Sequence, residues 1–84
     1  MMRVIVSSAA DRDVDRLSPE MAERVFTALR ALRHDPRPPG CRLLHGWQRR
    51  IWRIRVGDWR ILYEIDDAAG VVTVLRVLHR SKVY

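Results

Sequence analysis

Eighty-four residues predict one small domain, 1–84, with room for a single modest core and too few residues for two. All sixteen basic residues except Lys82 are arginine, and with only ten acids the net charge is +6, which favours a polyanionic partner. Lone Cys41 makes neither an internal disulfide nor a metal site by itself, no apolar run approaches the ~18 residues of a membrane span, and Met1 to Ser8 is short for a signal peptide, so a cytoplasmic protein without metal, cofactor or membrane contact is expected.

Arg3 to Ser7 is a β-branched run that predicts a first strand. Ser8, with Asp11 three residues on, is expected to cap a short helix as a capping box with Asp in place of Glu. Ala10, Val14 and Leu17 form its apolar stripe, and Asp11, Asp13 and Asp15 alternating with Arg12 and Arg16 read as its solvated face. Ser18-Pro19-Glu20 starts a second helix, with Ser as N-cap, Pro at the first helical position and an acid in the first turn. Its apolar face is Ala22, Val25, Phe26, Leu29 and Leu32. Arg30, Arg33 and His34 suit the dipole at its C-terminal end, and Asp35-Pro36 stops it. The two helices make a hairpin that needs a sheet beneath it.

Pro36 to Gly40 is a stiff connector, and Leu43-Leu44 begins a second strand that Gly46 breaks. Trp47 in the following loop reads either as a ring that stacks on RNA or as a cap over the sheet edge. His34 and His45 have no ligand partners at metal spacing and read as surface residues.

The stretch from 49 to 60, RRIWRIRVGDWR, holds five arginines in twelve residues. With Gly57-Asp58 as a two-residue turn, Val56 pairs with Trp59, Arg55 with Arg60, Ile54 with Ile61, Arg53 with Leu62 and Trp52 with Tyr63. Alternation then places Arg53, Arg55 and Arg60 on one surface, and Trp52, Ile54, Val56, Trp59, Ile61 and Tyr63 on the other, as core. Asp66 to Gly70 is a loop and Val71 to Leu78 the last strand. Pairing Ile65 with Val71 would put Thr73, Leu75 and Val77 in the core. Arg76 then falls beside Arg60, with Val72, Val74, Leu78 and Arg80 on the same cationic face. A shift by one residue would bury Arg76 opposite Ile61, at a cost of several kcal/mol. Arg53, Arg55, Arg60, Arg76 and Arg80 are therefore expected to converge on an anion, as phosphate-binding residues.

Trp52 to Ile65, WRIRVGDWRILYEI, His79 to Tyr84, HRSKVY, and the Leu43, Leu44, Gly46 pattern resemble the RelE/ParE superfamily of toxin–antitoxin toxins, on the RelE side. The resemblance covers almost the whole chain and implies an α+β fold: an N-terminal strand, a two-helix hairpin and a three-stranded antiparallel meander, with the helices on one face of a microbial-RNase-type sheet. It also implies a ribosome-dependent endoribonuclease that cleaves messenger RNA and inhibits translation, held as a hetero-oligomer with an acidic antitoxin. Arg53 and Arg55 stand where RelE-type toxins carry a pair of strand lysines, Arg60 at their phosphate-binding arginine, Arg80 at a second functional arginine, and Tyr84 near their terminal tyrosine. Arginines at 53 and 55 do not surrender protons as lysines do. That leaves His79 as a candidate acid or base, although strand parity places it on the core face, and Glu64 as a base or a charge-balancing partner. Two other functions stay open: a ParE-like poison of DNA gyrase without nuclease activity, and a non-catalytic nucleic-acid-binding module.

Overall fold

The structure, a computed structural model, describes residues 1–44, 46 and 48–83; the readings for His45, Trp47 and Tyr84 lie outside the described residues. The chain runs β1 (Arg3–Val6), α1 (Ser8–Asp15), α2 (Pro19–Leu32), β2 (Arg42–Leu43), β3 (Trp52–Val56), β4 (Trp59–Asp66) and β5 (Val71–His79), and ends in a 3₁₀ turn at Arg80–Lys82. Five strands form one mixed sheet in the order β1-β5-β4-β3-β2. β3, β4 and β5 are the expected meander, β2 adds antiparallel to β3, and β1 lies parallel to β5 at the other edge. No described helix is long and apolar enough to cross a membrane.

The hairpin pairs as the turn demands, from Val56 with Trp59 to Trp52 with Tyr63. Gly57 has φ +59° and no described non-glycine residue has positive φ, which fits a turn with glycine at its first central position. Ile54, Val56, Ile61 and Tyr63 are buried in the core under the helices, with Trp52 and Trp59 packed against them. Tyr63 is fully buried, its hydroxyl donating to the Pro36 carbonyl at 2.7 Å, which satisfies the one polar atom this ring takes inside.

The helix starts show why one expectation shifts. Ser7, not Ser8, caps α1, its Oγ accepting the Ala10 N–H at 3.1 Å. The Ser7 N–H donates to Val74 O at 2.9 Å, so the β1–β5 ladder holds Ser7 extended, the conformation an N-cap requires. Ser18 caps α2 as expected, with Pro19 in its first turn. Ala10 and Val14 of α1, and Val25, Leu29 and Leu32 of α2, reach the core. Phe26 does not, remaining 43% exposed at the margin of the stripe.

The largest departure lies in β5. Val71 pairs with Asp66, not Ile65, and the pairing runs through Tyr63 with Val74 before slipping, so that Arg76 faces Leu62 and Val77 faces Ile61. Leu75 is the extra residue of a β-bulge. Val72, Val74 and Val77 are all buried, a spacing that an unbroken two-residue period cannot bring to one face. The bulge buries all three valines and still keeps Arg76 out of the core. Val72 and Val74 therefore leave the cationic face assigned to them, and Thr73 and Leu75 leave the core. Arg60 faces Leu78 rather than lying beside Arg76.

Candidate nucleic-acid interface

Alternation along β3 and β4 places Arg53, Arg55 and Arg60 on the sheet face away from the helices, as expected. That face is not purely cationic. Ile51 and Leu62 are buried on it, and Arg53, only 5% exposed, is buried with them. The stretch leading into β3 supplies a neighbour for Glu64, which forms a two-pronged ion pair with Arg49. The Arg49 guanidinium holds the Glu64 carboxyl below the usual carboxylate range, so Glu64 is a charge-balancing partner.

Three further cations gather at the Gly57-Asp58 turn. Arg55 faces Arg60 directly across the hairpin. Arg60 donates from Nη1 to the Gly57 carbonyl at 3.1 Å and to the Trp59 carbonyl at 3.0 Å, which fixes its guanidinium against the turn. Arg80 is tied to the same turn by its backbone N–H, which donates to Asp58 O at 2.8 Å, and its Nε lies 3.9 Å from Asp58 Oδ1. Arg55, Arg60 and Arg80 are thus brought to one end of the β3–β4–β5 meander. Arg24 of α2 belongs to the same region, since a Cβ on Gly57 would lie 3.2 Å from its Nη1. Sequence reading missed Arg24, because only packing of α2 under the hairpin turn brings it there.

Arg76 behaves differently. Its Nε and Nη2 donate to Asp13 Oδ2 and Oδ1 at 2.8 and 3.0 Å, and the Val77 N–H donates to Asp13 Oδ2 at 2.9 Å. Its guanidinium therefore reaches α1 at the β5 edge instead of meeting Arg60. Burial opposes ionisation of Asp13, but the hydrogen bonds from Arg76 and Val77, with the charges of Arg76 and Arg16, outweigh it and hold the carboxyl below its ordinary value. By its alternation with Arg12 and Arg16 alone, Asp13 is expected on a solvated face, and the structure buries it instead. Its position three residues after buried Ala10, and one before Val14, was the available signal that it points inward.

His79 pairs with Trp59 and stands edge-on to it, ring centroids 5.5 Å apart at 87°, on the core side that strand parity gave it. Its Nδ1 accepts the Ser81 N–H at 3.3 Å and contacts Ser81 Oγ at 2.9 Å, so His79 caps the final 3₁₀ turn. An acceptor role for Nδ1 places the proton of the neutral ring on Nε2.

Residues 4–84 match the family described as ParE toxin of type II toxin-antitoxin system, parDE. No curated protein sequence matches the chain. Among solved structures, the archaeal RelE–RelB complex from Pyrococcus horikoshii superposes with TM-score 0.84 at 21% identity, covering 98% of each chain. The RelBE2 toxin–antitoxin complex from Mycobacterium tuberculosis gives 0.83 at 30% identity, over 94% of this chain and 98% of that one. The YoeB/ParE toxin from Agrobacterium tumefaciens gives 0.78 at 18% identity, over 93% and 98%. With the expected architecture in place and both the family match and a relative at 30% identity running almost end to end, the chain belongs to the ParE toxin family of the RelE/ParE superfamily and is a type II toxin–antitoxin toxin.

Proposed function

We propose that this toxin is a ribosome-dependent messenger-RNA endoribonuclease. The observation that supports this most is the gathering of Arg55, Arg60 and Arg80 at one turn, with Arg60 held by two backbone carbonyls. When a ribose 2′-hydroxyl attacks the adjacent phosphate, negative charge grows on the phosphorane oxygens and the 5′-oxygen leaves. Guanidinium groups already fixed beside those oxygens stabilise that charge without reorganising during the reaction. In this reading Arg60 and Arg80 hold the scissile phosphate, Arg55 holds a neighbouring one, and buried Arg53 sets the electrostatic background beneath them. Arg76 adds a phosphate contact at the β5 edge. Tyr84 stacks on a base, a contact worth ~1–3 kcal/mol. His79 is the candidate for proton exchange, through Nε2. The solved RelE relatives bound to antitoxins support an acidic antitoxin as the natural partner of this basic chain.

Programmed ribosomes test this directly. The wild-type chain should cut message in the ribosomal A site and spare naked RNA, because without a strong base the positioning must come from the ribosome. Arg60→Ala and Arg80→Ala should each slow single-turnover cleavage by ~10²-fold or more, the size of effect expected when one transition-state charge contact is lost. His79→Gln tests the proton-exchange role, and a loss as large as that of Arg80→Ala would support it.

The ParE name of the matching family favours a second reading, a gyrase poison. Stalled gyrase on DNA, with message intact on every ribosome preparation, would establish that reading and reassign the arginine face to DNA or gyrase.

A further inference from the structure

A notch opens at the rim of the sheet beyond the end of β1. The parallel ladder stops where Val6 pairs with Val74, so on that side the rest of β5 has no strand beside it, while its other side stays paired with β4. Its edge is served by side chains instead: Ser7 Oγ donates to Leu75 O, and Asp13 accepts from Val77 N–H. Between α1, β5 and the final turn lies a cavity of about 160 Å³, lined among others by Arg16, Arg76 and Lys82, with Trp59 and His79 as its aromatic wall. Three cations meet one carboxylate there, which leaves the notch positively charged.

Arg76 is the centre of the notch. Asp13 engages its Nε and one side of Nη2 in the two-pronged geometry that fixes a guanidinium plane. Nη1 and the outer hydrogen of Nη2 stay available, and the side chain is 46% exposed. The orienting contact is thus already made before any ligand arrives, which removes part of the entropy cost of binding. Lys82 and Arg16 flank it as less constrained charges. A tetrahedral anion with several acceptor oxygens matches donors arriving from three directions better than a planar carboxylate does.

The notch lies at the same end of the sheet as the turn cluster, on the helix side. Trp59 and His79 are a cross-strand pair that walls the notch, and the residues that follow them, Arg60 on β4 and Arg80 in the final turn, belong to the turn cluster. A single strand crossing the rim at this end of β4 and β5 would pass from one group of cations to the other.

We infer that Arg16, Arg76 and Lys82 form a second phosphate subsite, which takes a phosphodiester of single-stranded RNA flanking the one held at the Gly57-Asp58 turn. The subsite rests on the nuclease reading for its ligand, RNA, but can be tested apart from it. The isotope-labelled full chain is titrated at low ionic strength, first with inorganic phosphate and then with a 2′-O-methyl uridine hexamer, which resists cleavage. Phosphate should move the Trp59 indole N–H and the Arg76 Nε–H resonances saturably. The double variant Arg16→Ala, Lys82→Ala should bind phosphate at this site about 10-fold more weakly, the loss of charge-assisted contacts, while its remaining spectrum superposes on wild type. For the hexamer, its salt slope should fall by roughly 1.4, the single-strand value for two phosphate charges. Arg60→Ala should leave the phosphate response of Trp59 in place.

Silence of Trp59 and Arg76, or an unchanged slope in the double variant, would overturn the subsite even if messages are cleaved. A glutamate-rich peptide that moves these resonances at lower concentration than phosphate would overturn it too, and assign the notch to an acidic protein partner. A saturable phosphate response with no message cleavage would uphold the subsite and remove the nuclease reading.

Discussion

Asp13 ties three parts of the molecule together through two oxygens: the α1 backbone that carries it, the Arg76 guanidinium and the Val77 N–H. Asp13→Asn removes the charge and leaves one acceptor for three donors. It should cost ~1–3 kcal/mol in urea unfolding at neutral pH, the range for buried hydrogen bonds to charged groups. The pH dependence has a definite sign. The folded carboxyl titrates below its ordinary value, so between the two values the unfolded chain binds more protons. The Asp13 contribution is fully present above an unfolded carboxylate value of about 3.9 and is lost as pH falls through the lower folded value. The difference between wild type and Asp13→Asn should therefore shrink on acidification, and a constant difference down to acid unfolding would contradict the linkage. Glu64 and Asp67 titrate low for the same kind of reason, opposite Arg49 and Arg37, but those arginines are well exposed and their pairs should add little.

At the scale of elements, the hairpin is the part that positions the arginines, and its turn depends on one glycine. Gly57 has φ +59°, where a side chain costs roughly 1–2 kcal/mol. An added Cβ would also press on Arg24 Nη1 at 3.2 Å and Met21 Cε at 3.4 Å, both flexible ends that can yield. Gly57→Ala should thus destabilise by about 1–2 kcal/mol in chemical denaturation, mostly through backbone strain. If Arg60 works from its Gly57 and Trp59 carbonyl contacts, the same variant should also lose message cleavage, while binding to a partner distant from the turn stays unchanged. The β5 bulge is the second device at this scale. It changes which side chains face the core partway along one strand, and so permits Val74 and Val77 inside with Arg76 outside.

Across the whole molecule, +6 net charge on 84 residues makes a basic chain whose exposed arginines repel one another in the absence of an anion. A bound acidic antitoxin would offset that repulsion and stabilise the fold by mass action. Expression of the wild-type chain alone should therefore arrest growth, and co-expression with an acidic partner should restore it and raise the melting temperature. Robust growth with soluble, unpartnered protein accumulating would count against toxicity. The residues from 52 to 63 determined their own pairing, since a glycine-led two-residue turn and strict alternation leave one register that buries the tryptophans, isoleucines and tyrosine together. Ser18-Pro19 likewise determined the start of α2 from local capping chemistry. Only the tertiary structure decided the register of β5, the burial of Arg53, the capping by Ser7 and the capture of Arg76 by Asp13. The β5 register, the Ser7 cap and the capture of Arg76 depend on neighbours distant in the chain, β1 beside β5 and α1 across the open β5 edge, while Arg53 is buried on the same face as Ile51 and Leu62. Periodicity reports which way a residue faces along its own strand, whereas the partner that meets it there is chosen by packing.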